Sequence, residues 1–248
     1  MDDELGCRMG RVEQMIRYAY WNTESKGIVI GLSGGIDSAV AAAFCCRAVG
    51  PANVRGLSLP TSVSNPADVT DAAELCRQLG MEHEVICIDP ILDGYRSMPG
   101  FTATPYLLGN LMARTRMAVL YYYANRDKRL VCGTSNRSEY LLGYCTKYGD
   151  NAADLQPILH LYKTGVYMVA QELGIPEPIM KKVPSAGLWE GQSDEKEIGL
   201  TYAEIDTSLK ALEAQEWQAR TPAEEQVLAL VQKSEHKRQA APSLLGVL

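Results

Sequence analysis

Apolar positions along the chain keep two rhythms. Between residues 4 and 22, Leu5, Met9, Val12, Ile16 and Tyr20 recur at spacings of three and four, the period of one helix face. A β-branched run bounded by glycine follows, "GIVIGLS" at 27–33, and then the alanine-rich "IDSAVAAAFCCRAVG" at 36–50 closes on another glycine. This predicts strand, tight turn, helix. The order returns with "VRGLSLP" (54–60) as strand, "PADVTDAAELCRQLG" (66–80) as helix with Pro66 near its start and Gly80 beyond its end, and "EHEVICID" (82–89) as strand. Past the turn-rich "RSMPGFTATP" (96–105), a helical pattern from Tyr106 to Arg126 precedes a further strand, "RLVCGTS" (129–135). Such alternation predicts an α/β fold with a parallel β-sheet and helices on both faces.

The character then changes. "GYCTKYGDNAADLQP" (143–157) and "PSAGLWEGQSDEKEIG" (184–199) are polar and glycine-containing, as loops lining a site are, and "KTGVYMVAQELG" (163–174) between them reads as a helix. The last fifty residues read as a helical C-terminal region up to a terminal "HKRQAAPSLL". No Gly/Ser or Pro-rich linker and no internal repeat divides the chain, so residues 1–248 are expected to form a single domain.

Composition narrows the partners. At 46% apolar and 22% charged residues the chain has material for a full core. Its net charge of -6 argues against a broad nucleic-acid footprint, which needs a basic face. The seven cysteines form no C-x-x-C pair, and several sit in apolar runs where a free thiol behaves as a small hydrophobe. That pattern favours a reducing, cytoplasmic setting. The acidic N-terminus lacks the apolar stretch of a secretion signal, and no run approaches the roughly 18 residues of a membrane span.

The densest chemistry lies in "GLSGGIDSAV" (31–40). Gly34 and Gly35 permit backbone conformations closed to other residues and leave no Cβ in a ligand's way. Consecutive N–H groups there can converge on an anion at the N-terminus of the following helix, with Ser33 and Ser38 as added hydroxyl donors. A plain strand-to-helix turn would also account for "SGG" alone. Asp37 is unwelcome in a phosphate nest unless a cation bridges it, which suggests a hard divalent metal; a simple helix cap is the other reading. The lysine of a Walker loop is missing, and so is the G-x-G-x-x-G spacing of a dinucleotide fingerprint.

"SGGIDS" instead resembles the pyrophosphate loop of the ATP pyrophosphatase superfamily, whose members split ATP between the α- and β-phosphates. Together with "NLMARTRM" (110–117), the stretch 133–176, "PSAGLWEGQSDEKEIGLTYAEID" (184–206) and "HKR" (236–238), the chain resembles the ammonia-dependent NAD synthetase family over nearly its whole length. The resemblance implies a Rossmann-like fold and a ligase that adenylates deamido-NAD with ATP, then amidates it with ammonia, giving NAD, AMP and pyrophosphate. It implies ATP binding by Gly31, Leu32, Ser33, Gly34, Gly35, Ile36, Asp37 and Ser38, with Thr134, Lys163 and Ser185. Asp37 and Glu139 would share Mg²⁺, and with Lys163 they form the expected catalytic set. Arg114, Lys147, Asp154, His236 and Lys237 match the family's contacts to deamido-NAD.

Arg114 falls in the pattern Leu111, Arg114, Met117, Ala118, which places it on or near the buried side of the long helix. Taken alone, Lys163 could be an exposed lysine, Thr134 and Ser185 turn residues, and "HKR" a solvated basic tail. The apolar and aromatic residues of 106–126 exceed one buried stripe, and with the family's habit they suggest a homodimer. One helix ahead of Gly31 leaves no room for a glutaminase domain, so ammonia is the expected nitrogen source. Whether a separate protein supplies it stays open. Rival readings are another superfamily member, such as a tRNA-modifying or GMP-forming enzyme, and a regulatory module that has lost the chemistry. The acidic charge and scattered cysteines oppose the tRNA-modifying rival, and the presence of both Asp37 and Glu139 opposes the regulatory one.

Overall fold

The computed structural model describes residues 2–185, 187–189 and 191–241, with side chains from residue 6 onward. In chain order the elements are α1 (Asp2–Asn22), β1 (Gly27–Gly31), α2 (Ile36–Val49), β2 (Val54–Ser58), α3 (Pro66–Leu79), β3 (Glu82–Val85), α4 (Asp89–Arg96), α5 (Pro105–Asp127) and β4 (Arg129–Cys132). They continue with α6 (Arg137–Leu142), α7 (Lys163–Glu172), α8 (Glu177–Met180), α9 (Asp194–Ile198), α10 (Tyr202–Ala214) and α11 (Pro222–Lys233).

The strands form one parallel sheet in the order β3-β2-β1-β4. Period-two alternation divides its residues between two cores. Ile28, Ile30, Val54 and Cys132 face α1, α2, α3, α7 and α8, while Val29, Leu57 and Val131 face α4 and α5. Both faces are therefore covered, as expected. A third apolar cluster joins α6 to the pair α10 and α11 through Leu142, Ile205, Leu209 and Val227. This layer is the helical C-terminal region, and it packs beyond the sheet.

Boundaries differ where local chemistry overrides the apolar run. Residue 89 does not end a strand: Asp89 opens α4, with Pro90 supplying a fixed φ in its first turn. The stretch 184–199 is not all loop, since Asp194–Ile198 forms a helical turn closed by Gly199 at φ 80°. The helix over 66–79 starts and stops as its punctuation predicts: Asn65 accepts from Ala67 N, Pro66 follows, and Gly80 ends it at φ 72°. In α1 the buried face is Met9, Val12 and Ile16; the side chain of Leu5 lies outside the described residues. The terminal "PSLL" beyond residue 241 lies outside them too.

The sheet order reverses beside β1. From β1 the chain steps outward to β2 and β3, then returns through α5 on the other face to lay β4 against β1. The carboxyl ends of β1 and β4 thus flank a topological switch point, where open α/β sheets form their ligand crevice.

Candidate functional site

The turn leaving β1 is built around Gly34, whose φ is 75°. A Cβ there would lie 2.5 Å from the backbone oxygen of Asp68, so the position is closed to other residues by conformation and by space. Gly35 is the N-cap of α2, with φ −95° and no side-chain cap. The expectation that Ser38 adds a free hydroxyl donor is corrected: Ser38 is buried, donates to Gly35 O at 3.0 Å and accepts from Ser33 N at 3.4 Å. It braces the turn from inside, and Ser33 remains on the exposed side. Leu32 and Ile36 turn into the core. Gly31 ends the strand, so within 31–38 the surface that can meet a ligand is backbone, Ser33 and Asp37.

Asp37 leaves the first turn of α2, and Glu139 leaves the first turn of α6, just after β4. The two carboxylates come from the ends of neighbouring strands, as the sequence suggests. Lys163, the first residue of α7, reaches between them: its Nζ donates to Asp37 Oδ2 and, at 3.2 Å, to Glu139 Oε1. Its side chain is only 3% exposed, so it is not the solvated lysine that composition alone would suggest. Burial works against its charge, but Asp37 and then Glu139 outweigh that cost and hold the pKa above the ordinary lysine value. Burial also pushes the Glu139 carboxyl well above the usual carboxylate range; Lys163 pulls it down, while Asp37 and Asp194 push it further up. One ammonium thus serves a pocket holding an excess of carboxylates.

Sequence reasoning missed Asn136, which ties the two carboxylates together. It is fully buried, caps α6 by accepting from Glu139 N at 3.0 Å, and donates from Nδ2 to Asp37 Oδ1 at 2.9 Å. The available signal is local: Asn three residues before Glu at a helix start is a capping pattern. Tyr202 and Asp194 were missed as well. The Lys163 ammonium lies 5.2 Å from the Tyr202 ring centroid, and the Tyr202 hydroxyl donates to Asp194 Oδ2 at 3.0 Å.

Lys182, also missed, has no sequence signal beyond being a lysine before a proline-containing loop. Its Nζ donates to Gly34 O at 3.0 Å and to Asp68 Oδ1 and Asp71 Oδ2, each at 2.6 Å. The loop it opens carries Ser185, which is exposed and accepts from Gly187 N at 3.1 Å. Thr134 sits half-buried just past β4. Of these residues Lys182 touches the Gly34 turn directly.

Of the remaining expected residues, Arg114, Lys147 and His236 are joined by hydrogen bonds, and Lys237 follows His236 in the chain. Lys147 donates to His236 O, and Arg114 Nε donates to Lys147 O at 3.2 Å. Lys237 Nζ donates to Gly143 O and Cys145 O at 2.7 Å, and Arg238 donates to Leu141 O at 2.7 Å. "HKR" is therefore no solvated tail; it staples the loop that follows α6. Asp154 is engaged already, accepting from Val131 N at 2.7 Å at the outer edge of β4, to which the backbone of residues 154–155 also bonds, and from the Tyr121 hydroxyl at 3.2 Å. Arg114 corrects the expected burial: it is exposed, and α5 turns Gly109, Met112, Ala113 and Thr115 inward instead. The cause is close packing by small residues, with Gly109 under Leu188 and Ala113 against Gly149, which rotates the helix away from the predicted stripe.

A parallel α/β sheet with an anion-shaped turn and a lysine–carboxylate cluster at its switch point defines a nucleotide-binding α/β protein as a class. The profile of the NAD synthase family matches residues 9–241, and the chain belongs to that family. It is similar to the NH(3)-dependent NAD(+) synthetase of Methanoregula boonei, 70% identical over 247 residues that cover 100% of both chains. Among solved structures it is similar to an NMN synthetase from Francisella tularensis, with TM-score 0.87 and 38% identity over 95% of this chain and 96% of the other. An NH3-dependent NAD synthetase from Campylobacter jejuni in complex with the nitrate ion gives TM-score 0.83 and 37% identity over 96% and 98%.

Proposed function

We propose that this chain is a ligase that amidates deamido-NAD with ammonia at the expense of ATP, releasing AMP and pyrophosphate. The observation that carries the reading is the convergence of Asp37, Glu139 and Lys163 beside the Gly34–Gly35 turn, in a chain of the NAD synthase family. The backbone N–H groups of that turn and the Ser33 hydroxyl suit the β- and γ-phosphates, and Lys163 suits the oxygens where charge grows as the α–β bond breaks. The nicotinate carboxylate attacks the α-phosphorus, and the acyl-AMP so formed gives ammonia a carbon with a good leaving group. Thr134 and Ser185 complete the ATP side; Arg114, Lys147, Asp154, His236 and Lys237 form the deamido-NAD side.

Among the described residues no group of three or more His, Cys, Asp or Glu side chains could hold a metal by protein ligands alone. Two carboxylates do fit Mg²⁺, which keeps waters and takes its other ligands from phosphates. The excess of carboxylates around Lys163 supports that fit, and Asp37 and Glu139 would hold the ion. Bound there, Mg²⁺ would neutralise charge on the departing pyrophosphate.

No helix among the described residues is long and apolar enough to cross a membrane, and the free thiols Cys45, Cys46, Cys76 and Cys132 lie in the core; cytoplasmic residence fits both. Exposed Tyr106 (73%), Leu107 (49%) and Tyr122 (64%) on α5 favour a homodimer through that helix.

The purified chain, given ATP, Mg²⁺, ammonium and deamido-NAD, is expected to form NAD with AMP and pyrophosphate in equal amounts, and none when ammonium is replaced by ammonium-free glutamine. Light scattering of the same preparation should give twice the 27.2 kDa chain mass. ADP and phosphate as products would overturn the reading. Nicotinate mononucleotide belongs in the same assay, because similarity to the Francisella tularensis NMN synthetase favours, as a second reading, amidation of the mononucleotide. Faster turnover of that substrate would decide for it.

A further inference from the structure

Lys163 occupies a place that opposes its charge. It is the first residue of α7, where helix N–H groups and the helix dipole repel a cation, and the N-cap, Tyr162, provides no side-chain cap. The missing caps come from elsewhere in the chain. Lys163 N donates to Ser138 Oγ at 2.9 Å, Thr164 N donates to Asp206 Oδ2 at 2.8 Å, and the Ser138 hydroxyl donates to Asp206 Oδ1. Asp206 is 1% exposed and Ser138 fully buried.

This network joins three layers. Ser138 belongs to α6 and precedes Glu139; Lys163 and Thr164 open α7; Asp206 is on α10, one turn beyond the Tyr202 ring that lies beside the Lys163 ammonium. A carboxylate buried this deeply is tolerated only because its oxygens accept charge-assisted bonds. Those bonds set the position of the Lys163 backbone and of the residue next to Glu139.

We propose that Asp206 is a positioning residue for the reaction: through Ser138 and the first turn of α7 it holds Lys163 and Glu139 at the spacing the transition state requires. The inference rests on the reading that Lys163 and Glu139 serve the chemistry. A misplacement of a reacting group by about 1 Å can cost about a hundredfold in rate, and a smaller shift is expected when Asn replaces Asp. Asn keeps the shape but provides one acceptor oxygen where Asp provides two, so either Thr164 N–H or the Ser138 hydroxyl loses its partner.

The test compares Asp206→Asn, Ser138→Ala, Lys163→Met and Leu212→Ala by kcat, by KM for ATP and by unfolding midpoint. Leu212 is fully buried on α10 within the third apolar cluster, so its truncation loosens the helix without touching the network. Asp206→Asn and Ser138→Ala are expected to lower kcat about tenfold or more while KM for ATP changes less than about threefold. Leu212→Ala should lower the midpoint at least as much and keep kcat within about twofold. Equal kcat losses in Leu212→Ala and Asp206→Asn would overturn the proposal, since a structural role alone would explain them. Should Asp206→Asn fail to fold, Ser138→Ala decides, and wild-type kcat there overturns it. Lys163→Met at wild-type turnover would instead overturn the reading beneath it; an inactive Lys163→Met beside a fully active Asp206→Asn would sink this inference alone.

Discussion

The Gly34 turn and the Lys163 cluster lie at one crevice but are held by different means. The turn is mainly local: most of its bonds run among Ser33, Gly35 and Ser38, and only the Lys182 ammonium on Gly34 O and the close approach of Asp68 reach it from elsewhere in the chain. The cluster is assembled from three helices, and the bond from Lys163 to Asp37 spans 126 residues. A local device survives changes elsewhere, whereas an assembled one depends on every layer that packs against it. The comparison also separates binding from chemistry. In the proposed reaction the turn would offer backbone donors to a phosphate that is present before and after the step, while the cluster would concentrate charge where the reacting bond changes.

Removing the ammonium is the largest perturbation. Lys163→Met is expected to lower turnover by about 10²–10³-fold, the loss typical when one electrostatic stabiliser is deleted. It also strands Asp37 and Glu139. Breaking a buried pair costs about 3–5 kcal/mol, and the lower end is expected here because Glu139, already pushed upward by burial, can take up a proton. Urea unfolding and NAD formation measure the two losses separately. Wild-type stability with lost turnover would show that the cluster is less interdependent than its bonds suggest.

The same contrast governs what the sequence discloses. Strand, turn and helix around residues 27–50 are legible because glycine, β-branched and alanine-rich runs are local signals, and the seen boundaries follow them. Asp37 stands out as an acidic residue within the glycine turn, but Glu139 and the role of Lys163 are found through the family resemblance, because no spacing reveals that residues so far apart meet. Asn136 could have been found from its capping pattern, but its bond to Asp37 could not. Arg114 is expected on the buried side of α5 and lies off it because apolar and polar residues are spread around that helix, so periodicity has no clear phase there; Gly109 and Ala113 mark the packed side instead. The stapling role of Lys237 and Arg238 depends on carbonyls freed at the end of α6, which no sequence pattern marks.

Two neighbouring glycines sharpen the local side of the comparison. At Gly34, Ala would need φ 75° and would press its Cβ to 2.5 Å from Asp68 O, so Gly34→Ala is expected to cost about 1–3 kcal/mol of stability. At Gly35 the φ of −95° suits any residue, and the added Cβ would meet only Ser33 Oγ at 3.2 Å. Gly35→Ala should therefore stay within about 0.5 kcal/mol of wild type in unfolding. Its effect belongs in KM for ATP, because the methyl group would project beside the N–H groups proposed to meet the phosphates. Thermal unfolding and ATP saturation curves on both variants test the crossing; equal stability losses would mean that backbone strain does not distinguish the two positions.

The smallest effect is expected at the edge strand β3, whose link to the turn is indirect, through Ser58, which donates to Leu32 O at 3.2 Å. His83 on β3 is half-buried, and its Nε2 lies 2.9 Å from the Ser58 hydroxyl on β2. Burial lowers its pKa below the ordinary value, which is about 6.5 for an unperturbed histidine. In the unfolded chain this ring takes a proton as pH falls through that ordinary value, while in the folded protein it resists until the pH is lower. Protons therefore favour unfolding across that interval, so the stability present at neutral pH declines as the solution is acidified. Replacing the ring by a side chain that cannot titrate but can still bond Ser58 should flatten part of this decline. Urea midpoints of wild type and His83→Gln from pH 7.5 down to 5.5 are expected to converge or cross as the wild type loses its excess. The kcat profiles of the two proteins over the same range should superimpose, because His83 touches neither the turn nor the cluster. A kcat profile that shifts with the substitution would connect the sheet edge to the crevice and erase the separation between a locally held binding turn and an assembled reactive cluster.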